Sequence, residues 1–129
     1  MALNRKDAIV IPGTGGAFRP TISHLHFVLC DCDDSGKVLV APVGTFKANS
    51  DKSCLLEVGD HAFIRHQSVI LYSYFSLKKE GPLVADIKRG IVAKLEPATD
   101  ALFQRILVGL RTSRFALPWA RSKVGNPKL

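Results

Sequence analysis

Residues 22–45, ISHLHFVLCDCDDSGKVLVAPVGT, constrain this chain more than any other stretch. They read as two strands joined by a tight turn. From Ile22 to Asp31, Leu25, Phe27 and Leu29 fall on one side. His24, His26, Val28 and Cys30 fall on the other, because successive strand side chains point to opposite faces. Asp33-Asp34-Ser35-Gly36 supplies the turn: short polar residues that tolerate left-handed backbone, then a glycine. Lys37 to Val43 is the return strand, β-branched and apolar. Pro42 places the end of that strand at an edge or a bulge, since proline cannot donate to a ladder. The hairpin thus has an apolar face made by Leu25, Phe27 and Leu29, and a second face carrying two imidazoles. The second face is where chemistry is expected.

The rest of the chain reads as short strands followed by one helix. Ala8 to Ile11 is a short apolar strand stopped by Pro12-Gly13. GTGGAFRP, residues 13–20, is a glycine-rich loop that lacks the Gly-Lys-Ser/Thr of a phosphate loop. Phe46 to Lys52 is a polar loop, and Cys54 to Val58 is a candidate short strand. Ser68 to Leu77 alternates again, which predicts Val69, Leu71, Phe75 and Leu77 on a buried face. Ser68, Ile70, Tyr72, Tyr74 and Ser76 then share the other, hydroxyl-rich face. Val84 to Arg89 fits either a helical turn or a ragged strand, and Gly90 to Leu95 fits a strand. Pro97 suits a first helical position. Leu102, Phe103, Ile106, Leu107 and Leu110 form one apolar stripe, and Pro118 stops the helix. The expected fold is mainly β: a small antiparallel barrel capped by a C-terminal helix. One domain over 1–117 and an exposed basic tail over 118–129 are expected.

Composition narrows the function classes. At 129 residues and 47% hydrophobic, the chain can build one real core. It contains no apolar run of membrane-spanning length, and no membrane partner is expected. Met1 to Gly13 has no signal-peptide core, so a cytoplasmic protein is expected. Three cysteines, an odd number, fit a reducing compartment better than a disulfide framework. The net charge is +7, and Arg105, Arg111, Arg114, Arg121, Lys123 and Lys128 follow Ala101 with no acid among them. Such a bias suits a polyanion or an acidic protein partner, or simply a soluble basic surface.

Three stretches carry a resemblance to a known family. Arg19-Pro20 leads into the strand HLHFVL. VLVAPVGT, residues 38–45, ends a strand on a hydroxyl residue. SVILYSYFSLKK is followed by GIVAKLEPATDALFQRILVGL, a strand, basic turn, strand and helix. The chain in this respect resembles the MazF/PemK/Kid toxin endoribonucleases. GDHAFIRHQS, residues 59–68, has no counterpart in the common members. The resemblance implies an SH3-like barrel, a homodimer and metal-independent cleavage of single-stranded RNA. It also implies neutralisation by an acidic antitoxin protein, with no cofactor. The alternative is a non-catalytic SH3-like module that binds nucleic acid or protein through its basic face.

Metal-free RNA cleavage needs a base for the ribose 2′-OH, an acid for the leaving 5′-oxygen and a cation for the phosphorane. His24 and His26, about 6–7 Å apart on one strand face, are the expected proton-transfer pair. By themselves they would be ordinary surface histidines; the resemblance gives them the role. Arg19 is the expected cation. Thr45 and Ser68 are expected to hold the phosphate. His61 and His66 flank Ala62-Phe63-Ile64 and are further candidates. Asp60-His61 reads either as a carboxylate-oriented imidazole or as a turn hydrogen bond. Arg65, Tyr72 and Tyr74 are candidate RNA contacts, the tyrosines either stacking on unpaired bases or partly covered by the helix. Cys30, Cys32 and Cys54 do not make the four convergent ligands of a zinc site, so no metal is expected. Buried free cysteines are the default.

Overall fold

The computed structural model describes residues 2–13 and 23–124; Arg19, with residues 14–22, and Lys128, in the last five residues, lie outside them. Seven strands are present among the described residues: β1 (Ala8–Pro12), β2 (Ser23–Val28), β3 (Lys37–Thr45), β4 (Leu55–Leu56), β5 (Ser68–Ile70), β6 (Ser76–Lys79) and β7 (Ala93–Leu95). Three helices accompany them: α1 (Glu80–Lys88), α2 (Asp100–Thr112) and α3 (Pro118–Val124). All registered pairings are antiparallel.

The strands run in the order β4-β5-β3-β2-β1-β7, with β6 also paired to β3. The outer strands β4 and β7 are two and three residues long. They do not pair with each other among the described residues. The expected closed barrel is therefore an open antiparallel sheet with helices, because such short edges cannot carry the ladder around to closure.

The hairpin forms as its residues require. Asp33 Oδ1 accepts hydrogen bonds from the Ser35 and Lys37 amides at 2.8 and 2.9 Å. The Gly36 amide donates to the Asp33 carbonyl at 3.0 Å. Gly36 has φ of 78°, a conformation glycine adopts without steric cost.

Pro42 is not at an edge. β3 pairs with β2 on one side, while its other side serves β6 through Lys37 to Val40 and β5 through Val43 to Thr45. Pro42 stands at the changeover, where its carbonyl accepts from the Leu71 amide at 2.9 Å. Its missing N–H therefore costs no ladder bond.

Both faces of the sheet are covered. On one face Leu25, Phe27, Leu29 and Phe75 pack beneath Leu102, Phe103, Ile106 and Leu110 of α2, as the strand parity and the helix stripe predict. Fully burying each such side chain stabilises the fold by roughly 1.5–3 kcal/mol. On the other face Ile9, Val28, Val38 and Val40 pack against Leu3, Val92 and Leu83 of α1. The face expected to be open is thus largely a second, smaller core.

Parity fails already at Ile70. The predicted single strand from Ser68 to Leu77 is broken by a 3-10 turn at Tyr72–Tyr74 before β6 resumes. The phase is opposite to the expected one before the turn, so Ile70 and Tyr72 enter the main core while Leu71 is only half-buried; beyond the turn Phe75 is in that core and Leu77 packs against it. Val69 is buried but lies outside that cluster. Tyr72 is fully buried, and its hydroxyl donates to the Ile106 carbonyl at 2.7 Å. This requires Gly109: a Cβ there would stand 2.0 Å from the Tyr72 hydroxyl oxygen.

The C-terminal segment also differs from expectation. α2 starts after the N-cap Thr99, whose hydroxyl accepts from the Leu102 amide at 3.1 Å, and not at Pro97. It ends at Thr112, and Pro118 opens α3 instead of closing α2. Proline suits that first helical position. Ala120 of α3 is fully buried, and the Arg121 guanidinium donates to the Leu110 carbonyl at 2.9 Å. Residues 118–124 are thus a docked helix where an exposed tail was expected.

Gly109→Ala should destabilise the fold by about 1–3 kcal/mol, because the tyrosine must give way in a closed core. Tyr72→Phe alone should cost about 0.5–1.5 kcal/mol. In the Gly109→Ala background Tyr72→Phe should cost less, since the hydroxyl bond is already displaced. Urea unfolding of the three variants measures this. Additive losses would show that the two residues do not share this contact.

Candidate functional site

Where β3 changes partner, the sheet opens into a cleft of about 360 Å³. Its walls come from the start of β2, the end of β3, and the segment leading into β5. His24, Thr45, Arg65, His66 and Ser68 all line it, with Leu25, Val43, Phe63 and Ile64 as apolar wall. Among the described residues no carboxylate lines it, while two imidazoles and a guanidinium do.

Pairing sets part of this geometry. Thr45 and Ser68 are cross-strand partners in the β3–β5 ladder. Gly44 beside them packs against Leu71, whose side chain a Cβ would meet at 2.9 Å. Thr45 Oγ1 lies 3.2 Å from His66 Nε2, so the hydroxyl orients that ring. The Ser68 hydroxyl donates to the His66 carbonyl at 2.9 Å. Ser68 is buried and committed to holding the backbone of His66, where it was expected to hold phosphate.

The segment from Glu57 to Gln67 is pinned at several points. Asp60 takes a two-pronged ion pair from Arg105 of α2, with Oδ1 at 2.8 Å and Oδ2 at 3.3 Å. That guanidinium holds the Asp60 carboxyl below its ordinary range. Asp60 also accepts from the Glu57 amide at 2.7 Å. Gln67 donates to Glu57 at 2.6 Å.

His61 is buried, and both its nitrogens are engaged. Nε2 donates to the Glu96 carbonyl at 2.7 Å, and Nδ1 accepts from the Phe63 amide at 3.1 Å. Its ring meets Phe27 edge-on at 5.7 Å. The turn hydrogen bond is the alternative realised, and the Asp60 carboxylate goes to Arg105. Such an imidazole positions the loop; it has no free nitrogen for proton transfer.

His26 departs from its expected place. It pairs with Ile9 on the face that carries the second core and is buried. Its Nδ1 donates to the His24 carbonyl at 3.0 Å. Burial lowers its pKa from 6.5 to about 4, with nearby Lys78 adding to the effect. It does not line the cleft. The sequence reading left this face uncovered because the helix α1 that helps close it was ambiguous there.

Tyr72, expected on a polar face, is in the core, whereas Tyr74 is exposed and away from the cleft lining. Arg65 is exposed at the cleft. Arg19 is outside the described residues. Thr45 and His66 were both expected as candidates, but their contact was not, and Phe63 was not expected as a site member. His66 carried only its proximity to His61 as a signal, and its partner lies 21 residues away.

The basic bias is partly spent inside the fold. Arg105 pairs with Asp60, Arg121 donates to the end of α2, and Lys123 pairs with Asp33. Cys54 is buried, and burial pushes its thiol up to about 11. Among the described residues no three His, Cys, Asp or Glu side chains are grouped to hold a metal ion. No described helix is long and apolar enough to cross a membrane.

His26 fixes an acid limit on stability. Its folded pKa lies below its unfolded one, so the unfolded chain binds more protons between about pH 6.5 and 4, and stability falls as pH falls through that window. The full loss is on the order of 3 kcal/mol. Urea titrations at about pH 7 and about pH 4.5 should show it in the wild type and much less of it in His26→Leu. Equal pH slopes for the two proteins would refute the assignment.

No protein-family model matches the chain and no curated protein matches it, so a functional reading has to rest on the cleft itself.

Proposed function

We propose that the chain is a metal-independent endoribonuclease acting on single-stranded RNA at the cleft between β3 and the 57–67 segment. The observation that carries the reading is one concave site lined by two imidazoles, a guanidinium and a threonine hydroxyl, with no carboxylate among the described residues. Phosphodiester cleavage by the 2′-OH needs these groups. One imidazole removes the 2′-OH proton as that oxygen attacks phosphorus. The other protonates the departing 5′-oxygen. Arg65 offsets the charge that gathers on the phosphorane oxygens. The products are a 2′,3′-cyclic phosphate and a 5′-hydroxyl.

The proton-transfer pair is His24 and His66. His26 is buried and His61 is bonded at both nitrogens, so neither is free for the role. Thr45 orients His66. The resemblance to the MazF/PemK/Kid toxins supports the same chemistry. It extends the proposal to a cytoplasmic toxin with SH3-like ancestry, a homodimer held in check by an acidic antitoxin.

Purified protein should cut single-stranded RNA in EDTA and leave 2′,3′-cyclic phosphate ends. His24→Ala and His66→Ala should each lower the rate by about 10²–10⁴ with folding intact. Thr45→Val should cause a smaller loss. In bacteria, induced expression should arrest growth unless the partner antitoxin is co-expressed. Wild-type protein that binds RNA yet leaves it uncut would make this a binding module.

A further inference from the structure

Phe63 is an unexplained cost to the fold. The residue is 42% exposed, whereas the other apolar residues of the same cleft, Leu25, Val43 and Ile64, are buried. Its backbone is held, because the amide donates to His61 Nδ1 at 3.1 Å and the Ile64 amide donates to the His61 carbonyl at 3.0 Å. The chain therefore fixes the backbone of an aromatic residue at the wall of a cleft whose charged groups are all basic. Tyr74, Phe115 and Trp119 are also exposed, but none of them lines this cleft.

We infer that Phe63 is a base-stacking platform, and that the cleft accepts a single unpaired nucleotide with its base on Phe63 and its phosphate toward Arg65, His24 and His66. The inference rests on the reading of the cleft as an RNA site and adds what selects the RNA. A site whose described residues include basic groups and no carboxylate favours an anion. An adjoining apolar wall with an exposed ring favours a flat, weakly polar group. A nucleotide joins the two, and aromatic stacking is how proteins take hold of unpaired bases. The volume, about 360 Å³, sits at the small end of the ~300–1,000 Å³ range of small-molecule clefts. It has room for one nucleotide. Arg65 and His66 lie two and three positions beyond Phe63 on the same pinned segment, so base platform and phosphate contacts are set by one piece of backbone.

The test is a titration of the full chain with uridine 3′-monophosphate, adenosine 3′-monophosphate and inorganic phosphate, with RNA cleavage followed in parallel. Wild-type protein should bind both mononucleotides more tightly than inorganic phosphate. Phe63→Ala should lose roughly 5- to 150-fold in mononucleotide affinity and little in phosphate affinity. Phe63→Trp should keep the affinity, and the mononucleotides, but not phosphate, should quench its added fluorescence. Mononucleotide binding no tighter than phosphate, or binding unchanged in Phe63→Ala, overturns the platform even if RNA is cut. Base-dependent binding that needs Phe63, in a protein that cuts no RNA, upholds the platform and overturns the proposed activity alone.

Discussion

Strand β3 pairs with β2 along one edge and serves two different strands along the other. Val40 is the last residue bonded in register to β6, and Val43 is the first bonded to β5. A nine-residue strand can do this only if its partners diverge between those points, and Ala41-Pro42 occupies the gap. Proline costs nothing there because no ladder bond is asked of its nitrogen. The divergence separates the end of β3 from β6 and creates the concavity that His24, Thr45 and His66 line. Gly44 keeps the bend tight by letting Leu71 pack onto the backbone.

The second requirement is that the segment opposite this strand end stay in place. An ion pair between half-buried Asp60 and exposed Arg105 and one buried imidazole do so. Asp60 reaches Arg105 on α2, and His61 reaches the Glu96 carbonyl just ahead of that helix. α2 is itself fixed to the sheet by its apolar stripe and by the Tyr72–Gly109 contact. The cleft wall is thus tied to the main core through side chains far apart in sequence. A site whose groups are oriented in advance loses less entropy on binding than one assembled by its ligand.

The histidines divide by surroundings. His26 is held neutral by burial and bonds to backbone, and His61 has both nitrogens engaged. Only His24 and His66 reach the cleft. Residue type therefore does not assign role here; coverage by neighbouring elements does. The same holds for the tyrosines, of which one is an internal strut and the other is exposed.

Much of the local structure was legible in the chain itself. Alternation and turn chemistry set the β2–β3 hairpin and its Leu25-Phe27-Leu29 face, and helical spacing set the stripe of α2. These are short-range properties, fixed by side-chain direction along a strand or helix and by backbone preference at Asp33 to Gly36. Tertiary structure decided the rest. An apolar α1 face and Leu3 converted the second sheet face from surface to core and took His26 with it. The main core beneath α2 took in Ile70 and Tyr72, and a 3-10 turn after Leu71 then brought Phe75 to the same core. Pairing of Thr45 with Ser68 brought His66 to Thr45, a contact between residues whose separation leaves no periodic mark in sequence. Local pattern tells which way a side chain points; only the packing of distant segments decides what it meets there.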